Sequence, residues 1–174
     1  MTMGVIAWQN FYILVGTAAA TLIGLMFVAI TFGASMIGKI ENPDTTRAFI
    51  DPTLTHFVQV LVTSAVMLIP TITPQVLGAL LGAVAIFRMG ALFRVWQHMR
   101  AAHQRHNDLE LSDWVQGIVV PLAMHLLLGT SAAMFVMGSS PLVLVAIVTM
   151  VVLLNGIYGA WELVVWIALT RSRK

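Results

Sequence analysis

The chain has 174 residues, of which 59% are apolar and 9% charged, where an ordinary soluble domain carries roughly 25% charged residues, so it lacks the polar surface that dissolves a fold in water. A formal charge of +2 is too small for a protein that grips nucleic acid, and the absence of cysteine excludes disulfides, thiolate metal sites and thiol nucleophiles. The length leaves room for a single transmembrane domain over residues 1–174 and for no separate soluble one.

Five apolar stretches approach or exceed the ~20 residues that cross a bilayer core, and they predict an all-α membrane protein with spans at 11–38, 54–70, 75–96, 114–137 and 142–169. The first begins without a basic residue ahead of it and is too long for a cleaved signal. Asp51-Pro52, Thr73-Pro74 and Ser140-Pro141 each place a capping residue before a proline, the arrangement expected at a helix start. Asp113 with Gln116 offers a cap for the fourth span. After the third, residues 97–112 mix Arg, His, Asp and Glu and predict a cytoplasmic arm that continues the helix as far as a loop near Asn107.

The bases set the orientation. Lys39 and Arg47 follow span one, Arg94, Arg100 and Arg105 follow span three, and Arg171, Arg173 and Lys174 follow span five. The amino terminus and the turns at 71–74 and 138–141 have none. The positive-inside rule therefore puts the amino terminus outside and the carboxyl terminus in the cytoplasm. Trp8 and Tyr12 fit an outer aromatic belt, and Trp96, Trp114 and Trp166 an inner one.

Small residues recur at four-residue spacing, as Gly16, Ala20 and Gly24 in span one, Gly78 and Gly82 in span three, and Gly129 and Ala133 in span four. Such strips let helices approach closely, inside one bundle or between copies in a homo-oligomer. The stretch Gly16-Thr17-Ala18-Ala19-Ala20-Thr21-Leu22-Ile23-Gly24-Leu25-Met26-Phe27-Val28 resembles the opening helix of a group of small, poorly characterised bacterial multi-span inner membrane proteins, and Gly159-Ala160-Trp161-Glu162-Leu163 is similar to a motif in their last helix. The resemblance covers these two short stretches, implies a multi-pass location in the bacterial inner membrane and supplies no activity.

Only Arg88 and Glu162 fall well inside apolar runs. At ~1.5 Å per residue Arg88 lies roughly 13 Å from Gln97, and Glu162 roughly 13 Å from Arg171. An isolated charge at that depth costs at least about 2.5 kcal/mol, so the two are expected to pair. Asn155, Tyr158, Gly159, Glu162 and Trp166 share one side of span five. His125, roughly 16 Å deep on span four, is an expected partner for Asn155, and Pro121 predicts a kink that frees the carbonyl of Gly117. His56 and Gln59 lie toward the inner surface and extend this polar layer into a funnel.

Three functions fit such a layer. Glu162, Arg88, Asn155, His125 and Tyr158 can line a path for an ion or small solute, most simply at an oligomer axis. Arg88 and Glu162 can instead close the bundle as a structural pair in an accessory or regulatory subunit, or the polar face can receive another membrane protein. Catalysis is the least supported class: His56 and His125 differ in depth where haem ligands must flank one iron, and no carboxylate or cysteine completes a metal set with His98, His103 and His106. No cofactor or metal is expected, and the lipid bilayer is the principal partner.

Overall fold

The computed structural model describes residues 2–37, 43–106 and 115–172, and every regular element among them is helical. In chain order these are α1 (Thr2–Ile37), α2 (Pro43–Met67), α3 (Pro74–His106), a π-helical turn (Val115–Val119), α4 (Val120–Val136) and α5 (Leu142–Ser172). Three stretches are long and apolar enough to cross a membrane: Trp8–Phe32 of α1, Pro74–Arg94 of α3 and Leu142–Val165 of α5. Thr53–Met67 and Val120–Val136 are apolar but shorter, about 22 and 25 Å long at the helical rise. Large apolar side chains stand outward, among them Phe32, Ile86, Phe87 and Trp161, as on a protein whose solvent is hydrocarbon.

Several predicted boundaries hold and one moves. Thr73 accepts a hydrogen bond at Oγ1 from the Val76 amide at 3.4 Å, capping α3 at Pro74. The same helix runs on to His106, so the arm continues span three as expected. The Asp51-Pro52 start is a correction: α2 begins at Pro43 and passes through Pro52. Proline at the first helical position sits there too, at Pro43 rather than Pro52. Ahead of Pro121 the chain forms the π turn, the local widening by which carbonyls deprived of their usual amide reach the next one along. Gly38, Lys39, Asn107, Asp113, Trp114, Arg173 and Lys174 lie outside the described residues, as do the side chains of Arg47, His98, Arg100, His103, Arg105, His106, Gln116 and Trp166.

Two turns are sharply defined. After α4, Gly138 takes φ 85°, its amide bonds Phe135 O at 3.0 Å, and the Ser139 amide bonds Met134 O at 2.9 Å. This paired closure of the last carbonyls is the Schellman motif, and it requires the left-handed conformation at Gly138. Between α2 and α3, Thr71 adopts φ 58°, an unfavourable value for a β-branched residue.

The chain divides into two compact units, one of residues 1–6 and 69–148, the other of residues 7–68 and 149–174. In the first, α3 and α4 run antiparallel. Buried Leu77, Leu81, Ala85, Arg88 and Leu92 on α3, and Pro121, His125, Leu128, Ala132 and Phe135 on α4, recur at the three- and four-residue steps of a heptad seam. Gly78 makes the closest approach: a Cβ there would lie 2.6 Å from Ala132 O and 3.0 Å from Phe135 Cβ. Gly82 faces Ala132, and Gly129 faces Ala85. In the second unit α2 packs against α1 and α5. A Cβ on Gly16 would meet Ser64 Cβ at 3.0 Å, one on Gly156 would meet the Phe57 ring at 2.7 Å, and one on Gly159 would meet Thr53 Oγ1 at 2.6 Å. The expected small-residue strips therefore serve packing within the chain at Gly16, Gly78 and Gly82. Ala20 and Gly24 stay on the outer surface, Gly24 with nothing within 4 Å of a Cβ.

Candidate functional sites

Within the first unit, the α3–α4 seam brings Arg88 to His125. Arg88, 9% exposed, donates its Nε–H to His125 Nε2 at 3.3 Å. For Nε2 to accept, the ring proton sits on Nδ1, which hydrogen-bonds the carbonyl of Pro121 one turn earlier in α4. His125 is thus a neutral acceptor held in one tautomer by the carbonyl of the proline that interrupts its helix. The arrangement gives a buried guanidinium a hydrogen-bond acceptor inside an apolar seam without adding a second charge.

The second unit holds a longer series of polar groups on α2. Thr53, Gln59, Thr63 and Ser64 are all buried, and His56 stands among them on the helix. Thr53, His56, Gln59 and Thr63 step at three or four residues and so line one side of α2, which runs roughly 16 Å from Thr53 to Ser64. Asn155 of α5 reaches this side, its Nδ2 donating to His56 Nε2 at 3.3 Å. Thr149 of α5 and Tyr12 of α1 are also buried polar groups of this unit. Hydroxyls elsewhere turn back onto carbonyls of their own helix, as Thr21 does on Thr17 and Ser131 on Leu127, the usual resolution for serine and threonine in apolar helices. Ser64 does not: its Oγ is buried without a hydrogen-bond partner. It lines a groove of about 380 Å³ between α1 and α2, with Tyr12, Gly16 and Leu61.

The expected site residues therefore separate into different surroundings. Arg88 meets His125 in the first unit, and Asn155 meets His56 in the second. The side of α5 read as a single polar face splits. Gly156 and Gly159 approach α2 and Asn155 bonds it, whereas Tyr158, at 47%, and Glu162 are exposed. Tyr12, expected in the outer aromatic belt, is buried, with Phe11 edge-on to its ring. The sequence reading passed over Thr53, Thr63, Ser64 and Thr149. For the three on α2 the signal was present, since four hydroxyl residues, a histidine and a glutamine crowd the fourteen positions from Thr53 to Val66.

Comparison with known protein families, with characterised proteins and with solved structures finds no match.

Proposed function

We propose that this chain is a non-catalytic, homo-oligomeric protein of the bacterial inner membrane, with five spans, the amino terminus outside and the carboxyl terminus in the cytoplasm, that passes a proton along the polar side of α2. The single observation that carries the reading is the row of buried polar side chains on that helix with Asn155 hydrogen-bonded to His56. Polar groups are costly in a membrane helix, and where they run in file with an ionisable member they suit ion or proton transfer. The close contacts favour a proton over a hydrated ion. At Gly156 and Gly159 a single added carbon would clash with α2, so no water-filled bore fits between these helices, while protons need only hydrogen-bonded side chains. His56 is the one member of the row with an ionisable side chain, an imidazole that can both donate and accept a proton. Ser64, lining the α1–α2 groove, is the member a water in that groove can join after rotation about χ1. Two shorter helices complete the five spans if lipid adapts to their length.

A second reading, an accessory or regulatory membrane subunit, is favoured by Arg88. Its Nε–H is spent on His125 within a heptad seam, where a polar pair fixes the register of two helices and conducts nothing. Purified protein in liposomes with an internal pH dye separates the two. Under an imposed potential the passage reading predicts acidification without movement of sodium or potassium. Absence of proton uptake at every potential would leave the accessory reading.

A further inference from the structure

Two outward faces of this chain complement each other. On α5, Leu154, Tyr158 and Trp161 are exposed, at 57%, 47% and 66%, and with Val165 they follow steps of four, three and four residues. Glu162 is exposed beside Trp161. On α3, exposed Ala83, Phe87, Gly90 and Arg94 follow the same steps, and Gly90 has nothing within 4 Å of a Cβ, a notch between Phe87 and Arg94. The apolar stretches of the two helices end at Arg94 and Val165. In the five-span topology proposed above, on which this inference rests, α3 and α5 both start from the outer side of the bilayer. Side by side at equal depth, they set Leu154 against Ala83, Tyr158 against Phe87, and Trp161 against Gly90. Large meets small twice and ring meets ring once, and Arg94, level with Val165, lies about 4.5 Å further along than Glu162, a gap that the long arginine side chain spans.

We propose that a second copy of this chain covers this face, α5 of one copy lying parallel to α3 of the next, with Trp161 seated at Gly90 and Glu162 ion-paired with Arg94. The occupant is identified by charge and shape. A carboxylate on the outer face of an apolar span needs a cation within reach, and the chain displays one about a helical turn away on a heptad seam with matching bulk. A tryptophan in a glycine notch beside a charge pair is the kind of contact that anchors an interface. The contact joins unlike faces, so it repeats around a ring or occurs twice across a two-fold axis. The proposal rests on the five-span topology and the homo-oligomeric part of the function proposed above and is independent of proton passage.

The natural chain has no cysteine, so cross-linking has no background. Two differently tagged copies, one Leu154→Cys and the other Ala83→Cys, are co-expressed and oxidised in native membranes. Both positions are exposed and leave Trp161 and Gly90 in place. The expected product is a mixed disulfide dimer with the mass of two chains, at least tenfold above that from Leu154→Cys with Ala79→Cys, which is one turn out of register. With charges reversed, Glu162→Arg alone or Arg94→Glu alone lowers the cross-link at least fivefold, and a copy carrying Glu162→Arg beside one carrying Arg94→Glu restores it. A Leu154–Ala83 yield no higher than the out-of-register control overturns the proposal, as does failure of the mixed reversal to recover it. A cross-link in a protein that passes no protons upholds the interface and counts only against passage.

Discussion

Replacing Gly78 by alanine tests whether the α3–α4 seam is as close as its geometry indicates. The new methyl carbon would lie 2.6 Å from the carbonyl oxygen of Ala132, against an ordinary contact of 3.4 Å or more. The helices must separate by roughly 0.8 Å at this point, because a backbone oxygen cannot swing aside, and overpacking of this kind costs about 1–3 kcal/mol. Alanine returns roughly 0.5–1 kcal/mol through its better helix propensity, leaving a net loss of about 1–2 kcal/mol. Gly24→Ala provides the internal control. Nothing lies within 4 Å of a Cβ there, so only the propensity gain of about 0.5–1 kcal/mol remains. The two variants should differ by about 2 kcal/mol, near thirtyfold in the unfolding equilibrium. Unfolding in mixed micelles with increasing sodium dodecyl sulfate, followed by circular dichroism, reads that difference. Equal midpoints for the two variants, or a lower midpoint for Gly24→Ala, would refute the close approach.

Further predictions concern single positions. In a double-mutant cycle with Arg88→Leu and His125→Leu, the doubly substituted protein should be less damaged than the sum of the two by about 1–3 kcal/mol, since each single change breaks the same buried hydrogen bond; additive losses would remove the pairing. Gly138→Ala should cost about 1–2 kcal/mol through the left-handed backbone alone, and an unchanged unfolding midpoint would contradict the Schellman closure. Thr71→Gly should raise stability by about 1 kcal/mol for the mirror-image reason, which the same titration measures.

Helix content was legible because apolar run length and proline starts are local signals, and α3 and α5 begin where Thr73-Pro74 and Ser140-Pro141 indicated. The start of α2 was not. Its first turns are polar, and hydropathy alone cannot show a helix that continues beyond its apolar part. That error displaced His56: placed at the end of a span beginning at Leu54, it lay too shallow for Asn155, whereas in a helix from Pro43 it stands in the fourth turn, within reach. Arg88 shows a different limit. Sequence distance gave depth along each helix but not which neighbour a side chain faces. That Arg88 faces His125 was encoded in the heptad steps of Leu81, Ala85, Arg88 and Leu92 against His125, Leu128 and Ala132. Small-residue spacing, by contrast, marked close approaches at Gly16 and Gly78 without telling which helix would fill them.

The central claim is that His56 relays a proton along α2, and His56→Gln tests it most directly. Glutamine can still accept the hydrogen bond from Asn155 but cannot pick up and pass on a proton as an imidazole can, so the fold should survive while chemistry is lost. In liposomes of equal protein density under the same potential, the proton flux of His56→Gln should fall at least about tenfold below that of the natural chain, with an unchanged unfolding midpoint. An undiminished flux in the folded variant would contradict the relay.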